Sequence, residues 1–85
     1  MRAYVLLQTT LGTSRARAKE IVDSLRKNYE QNFIQGSAVY GWYDALIELE
    51  IPHSTRLNEI VDELKKNHSD IVHIGTAVER ASDYP

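Results

Sequence analysis

The chain has 85 residues, twelve acidic against ten basic, no cysteine, a formal net charge of −2 and a pI near 5.9. That length fits one domain over 1–85 with a modest core, and the missing thiols exclude disulfide staples and thiolate metal sites. With so small a core and no staple, self-association is the ready source of extra stability, and the slight acidity is wrong for a protein that gains affinity by neutralising phosphates.

Residues 3–8 read as a strand, and Thr9-Thr10-Leu11-Gly12 breaks it. The apolar run Ala3–Leu7 is too short for a signal-peptide core or a membrane span, so the expected address is the cytoplasm, with no membrane partner. Thr13 or Ser14 can cap the next element, because either hydroxyl accepts an orphan N–H of a first helical turn. Ala18, Ile21, Val22, Leu25 and Tyr29 then recur at helical spacing. Five of the ten basic residues fall between 15 and 27, interleaved with Glu20 and Asp23, as on a solvated helix face.

Residues 33–40 and 43–51 read as two strands joined at Gly41-Trp42, with glycine first as a type II′ turn wants. That turn sets Tyr40 opposite Tyr43, Ala38 opposite Ala45, Gly36 opposite Ile47 and Ile34 opposite Leu49. All eight are apolar, aromatic or glycine, which makes this the helix-facing side. Phe33, Gln35, Ser37, Val39, Asp44, Leu46, Glu48 and Glu50 take the other.

Pro52 closes the strand, Ser54 or Thr55 caps a second helix, and Leu57, Ile60, Val61 and Leu64 form its buried stripe. Lys65, Lys66 and His68 place positive charge at its end, where Asn67 suits a left-handed stop. Residues 71–78 form the last strand, and 79–85 read as a flexible tail.

The order β-α-β-β-α-β predicts a ferredoxin-like α+β fold: a four-stranded antiparallel sheet with two helices on one face. The other face has no cover within the chain. The first and last strands are apolar on both sides (Tyr4 and Leu6 against Val5 and Leu7, Ile71 against Val72 and Ile74), and Val39 and Leu46 add from the hairpin, so that face is partly apolar and a homodimer through the sheet faces is expected.

The segment Val39-Tyr40-Gly41-Trp42-Tyr43-Asp44-Ala45-Leu46-Ile47, set in this pattern, resembles the effector-binding (RAM) domain of Lrp/AsnC transcription regulators. The likeness runs from Ala3-Tyr4-Val5 to Val72–Val78. It implies sheet-to-sheet dimers as in dimeric α/β-barrels, and higher oligomers such as octamers (tetramers of dimers). It also implies an amino-acid effector bound between dimers. Because the chain starts at its first strand, it reads as a stand-alone form without the helix-turn-helix. Such a form would not bind DNA directly, but could modulate full-length regulators.

Carried over position by position, the implied ligand residues are Gly41, Trp42, Tyr43, Asp44 and Thr76. Asp44 can meet an ammonium, while backbone N–H groups at the glycine turn and the Thr76 hydroxyl can meet a carboxylate. Trp42 can pack against the ligand or anchor an interface.

No cofactor is implied. The histidines at 53, 68 and 73 lack metal-ligand spacing, and the serines lack a nucleophile motif. The expectation is a binding module and not an enzyme. One alternative is a small dimeric α/β-barrel enzyme working through His73 in a cavity between sheet and helices; another is a purely structural partner domain.

Overall fold

Strict alternation in the first strand, β1 (Arg2–Thr9), sets the two faces of the molecule: Ala3, Val5, Leu7 and Thr9 are buried, and the residues between them are not. The structure is a computed structural model describing residues 1–10 and 15–79. The possible caps Thr13 and Ser14, and 80–85 of the expected tail, lie outside the described residues. After β1 come α1 (Arg15–Asn28), β2 (Phe33–Ala38), β3 (Ala45–Glu50), α2 (Ser54–Asn67) and β4 (Ile71–Val78). The sheet is antiparallel throughout, in the order β2-β3-β1-β4, which is the expected ferredoxin-like α+β fold.

The core lies between this sheet and the two helices. Ala18, Ile21, Val22 and Leu25 of α1, with Leu57, Ile60 and Leu64 of α2, close over Val5, Leu7, Ile47 and Leu49. Fully burying each Val, Leu or Ile among them contributes about 1.5–3 kcal/mol, so this single layer carries the fold. Tyr29 and Val61 pack on its margin. The Tyr29 hydroxyl donates to the Glu63 carboxylate, tying α1 to α2. Burial first, then that carboxylate, pushes the Tyr29 pKa up to about 12.

The hairpin differs from its expected form in two places. Gly36 opposes Ile47 and Ala38 opposes Ala45, as predicted. One residue is inserted between Phe33 and Gln35, however, so Phe33 and not Ile34 faces Leu49. This bulge turns Phe33 toward the core, where Arg26 stacks over its ring (5.3 Å), and leaves Ile34 exposed. At the other end no two-residue turn forms. The ladder closes instead with the Val39 N–H donating to the Asp44 carbonyl (2.9 Å), which leaves residues 40–43 as a longer loop. Gly41 takes a φ of +121°, a region that favours glycine.

The ends of α2 also shift. His53, in extended conformation, is its N-cap and makes no side-chain capping bond, so Ser54 and Thr55 are already helical. Asn67 is the last helical residue and not a left-handed stop; no described non-glycine residue has positive φ. Glu79, expected in the tail, still donates its N–H to the Arg2 carbonyl (2.8 Å).

Gly36 sits where α1 presses on β2. A Cβ there would lie 2.7 Å from Val22 Cγ1 and 3.1 Å from the Phe33 ring. Val22 is buried and β-branched, so it has little room to yield. Gly36→Ala is expected to destabilise by about 1–3 kcal/mol, the usual cost of overpacking. Urea unfolding reads this directly, and an unchanged midpoint would contradict the close approach.

Candidate functional site

The geometry around residues 40–45 follows from one slipped hydrogen bond. Ala45 opposes Leu7, yet the Asp44 N–H also donates to the Leu7 carbonyl (2.7 Å). Two residues of the β3 segment thus face one of β1, the arrangement of a bulge. Its consequence is a change of sides. Asp44 turns toward the helix side, where its Oδ2 accepts from the Thr9 N–H (2.7 Å) and the Thr9 hydroxyl (2.9 Å). Tyr43 swings onto the uncovered face.

There the Tyr43 ring lies beside His73, with centroids 6.0 Å apart, and over Gly75, whose missing side chain makes room for the phenol. His73 and Gly75 oppose Gln8 and Leu6, which places all of them on that face. The expected faces of Tyr40, Tyr43 and Asp44 are therefore corrected. Tyr40 is not core but 88% exposed, with Arg15 stacked 5.7 Å from its ring centre.

Of the five residues carried over, Gly41, Trp42, Tyr43 and Asp44 are contiguous but point in different directions. Trp42 is 86% exposed at the loop tip, Tyr43 lies on the uncovered face and Asp44 is turned in against Thr9. Thr76 opposes Val5, whose side chain is wholly buried on the helix side, so Thr76 stands on the opposite side of the sheet from Tyr43. Beyond the contact with Thr9, Asp44 Oδ1 has no partner among the described residues.

The uncovered face has a mixed character. At one end Arg2 pairs with Glu48 (2.9 Å) and lies 3.7 Å from Glu50. Beside that pair, Tyr4, Leu46 and Glu48 line a shallow hollow of about 150 Å³, which extends to Gln35 and Ser37. His73, the histidine of the enzyme alternative, opens onto this face and not into the space between sheet and helices, which Ile21, Ile47 and Ile60 fill.

A second polar cluster was not legible as such in the sequence. Arg17 of α1 reaches Asp70, ahead of β4, through two bonds (Nε to Oδ2, 2.7 Å; Nη2 to Oδ1, 2.8 Å). Its Nη2 also meets His68 Nδ1 at 3.2 Å. Because arginine only donates, His68 Nδ1 must be the unprotonated acceptor there. Burial and then the Arg17 charge lower the His68 pKa below its usual 6.5. His68 is thus the C-cap of α2, held toward its neutral form, and not the positive helix-end charge expected.

The sign follows from linkage. A depressed pKa gives stability that is fully present above pH 6.5 and is lost as pH falls through the folded value. Asp70, lowered chiefly by its bond to Arg17, adds a further loss below pH 3.8. Stability should therefore decline from pH 7 toward pH 5, and His68→Gln should flatten that slope. Denaturant melts at a series of pH values measure it; an equal slope in both proteins would refute the assignment.

No family model and no curated protein matches the chain. Solved structures do. The hypothetical protein PHS023 from Pyrococcus horikoshii superposes with a TM-score of 0.73 at 20% identity, over 96% of this chain and 92% of that one. FFRP-DM1 gives 0.72 at 20% identity, over 93% and 97%. The 5-chloro-2-hydroxyhydroquinone dehydrochlorinase TftG from Burkholderia phenoliruptrix gives 0.70 at 7% identity, over 96% of both chains. These likenesses establish a shared fold. Among the described residues, no helix is long and apolar enough to cross a membrane and no group of side chains could hold a metal ion.

Proposed function

We propose that this chain is an amino-acid-binding oligomerisation domain of Lrp/AsnC type, acting as a binding module and not as a catalyst. In this reading two copies pair their uncovered sheet faces, and such pairs associate further around the 40–43 loops. The FFRP-DM1 likeness is what a domain of that type would give. The observation that carries the reading is the loop itself. It holds two large aromatic side chains, Tyr40 and Trp42, almost wholly in solvent on either side of a positive-φ glycine. Exposed aromatics of this size mark sites that are completed by another surface.

Among its described residues a single copy offers no enclosure for a ligand at this loop, because Trp42 and Thr76 do not converge. A second copy packed on the loop would supply the missing wall. Asp44 Oδ1 is the anion available to an ammonium, and the backbone of Gly41 and Trp42 offers N–H donors to a carboxylate. Full-length regulators with the same loop are the natural hetero-partners, reached without contact to DNA.

The test is isothermal titration of the chain with each of the twenty amino acids, paired with light scattering. Saturable heat from a subset, accompanied by a change of mass, is expected. A single-chain mass at micromolar concentration and no heat from any of the twenty would overturn the reading.

A further inference from the structure

We propose that the groove between α1 and the edge strand β2 is a docking site for a short acidic peptide segment of a partner protein, bound as an added strand. Three observations converge on it. The groove has a volume of about 550 Å³, with Val22, Gly36 and Ala38 in its floor and Arg15, Lys19 and Arg26 along its wall. Among the described residues Asp23 is the one acid that lines it, 3.9 Å from Arg26, which leaves the three cations in excess.

The second observation is the state of the strand. β2 has β3 on one side and, among the described residues, no strand on the other. The Val39 N–H bonds across to Asp44, so by the alternation of an antiparallel ladder 35, 37 and 39 turn their backbone groups toward β3. Gly36 and Ala38 then direct their N–H and C=O groups outward into the groove, with no partner among the described residues. An extended segment laid beside them would satisfy both, the mode by which an exposed sheet edge accepts a peptide.

Third, the cations are placed for such a segment. Arg15 and Arg26 are held at the two ends by stacking on Tyr40 and Phe33. They are eleven residues apart on α1, or about 16 Å along the helix. An extended peptide covers that length with about five residues. Lys19 stands between them. Alternate acidic side chains would reach this row, while the residues between them turn to the opposite face of the sheet. The site needs neither the uncovered sheet face nor Gly41 and Trp42; Tyr40, which steadies Arg15, is the residue it shares with the amino-acid reading, and the peptide test is read separately from the amino-acid titration.

The experiment uses fluorescein-labelled Glu-Val-Glu-Val-Glu, its Lys-Val-Lys-Val-Lys counterpart, and the whole chain. Anisotropy should show saturable binding of the acidic peptide only, weakened by salt. Lys19→Glu should weaken it at least tenfold, whereas Lys66→Glu on α2 should leave it within twofold. In ¹⁵N-labelled protein the largest amide shifts should fall at Gly36 and Ala38. Ala38→Pro removes one outward N–H without touching the ladder to β3 and should abolish those shifts, with circular dichroism confirming the fold. Equal binding of both peptides, or insensitivity to Lys19→Glu, would overturn the proposal. So would amide shifts confined to other residues, or no binding because a second copy already fills the groove.

Discussion

Asp44→Ala is expected to cost about 2–3 kcal/mol of stability, because it strips a charged acceptor from two donors on a residue with almost no access to water. Thr9 is 5% exposed, and both its N–H and its hydroxyl are given to Asp44 Oδ2. Thr9→Val removes only the hydroxyl bond and should cost less. Asp44→Asn keeps an acceptor and should fall between the two. A double-mutant cycle between positions 9 and 44 should return a coupling of about 1 kcal/mol or more. Wild-type stability in Asp44→Ala would mean that the carboxylate is free for other work. The distinction matters because a lost ligand response in that variant would otherwise be misread as a lost contact to ligand.

In the proposed sheet-face dimer, Leu6→Glu is expected to lower the affinity between copies at least 100-fold while leaving the isolated fold intact. Leu6 lies in the middle of the uncovered face, opposite Leu46 on one side and Gly75 on the other. A carboxylate there is hydrated in a lone chain but would lose its water against a second copy, a penalty of several kcal/mol per ion. One hundredfold corresponds to about 2.7 kcal/mol. Sedimentation velocity against concentration measures it, with circular dichroism as the check on folding. Lys66→Glu on α2 is the control and should sediment like the wild type. Identical masses for Leu6→Glu and wild type would remove the sheet face as the contact.

Much of this architecture is legible from residue spacing alone. The apolar stripes of both helices, the alternation of β1 and the central pairs Gly36–Ile47 and Ala38–Ala45 all follow from burying one face of each element. What spacing does not encode is a one-residue insertion between chemically equivalent neighbours. Phe33 and Ile34 are both large and apolar, so either satisfies the core position, and the bulge that selects Phe33 leaves no trace in the pattern. Tyr40 and Tyr43 are equally interchangeable on paper. Their actual places depend on the Asp44–Leu7 bond and on the space above Gly75.

The candidate site was harder to read for the same reason. The loop residues were identifiable, but their directions change when one hydrogen bond slips. The Arg17–Asp70–His68 cluster joins positions more than fifty residues apart in sequence. An arginine in a solvated helix face and a histidine at a helix end each have a sufficient local explanation, and neither calls for the other.

The irregularities at the sheet's two borders act together. On β2 the inserted residue is Ile34, and on β4 it is Val72, where Gln8 and Thr9 oppose His73 and Ile71. Each kink cuts short the straight run of backbone at its rim, leaving at β2 room for a short segment beside Gly36 and Ala38 but not for a long strand zipped along its whole length. Neither rim can therefore template an endless ribbon of copies. Open-ended growth by rim-to-rim addition is thereby disfavoured.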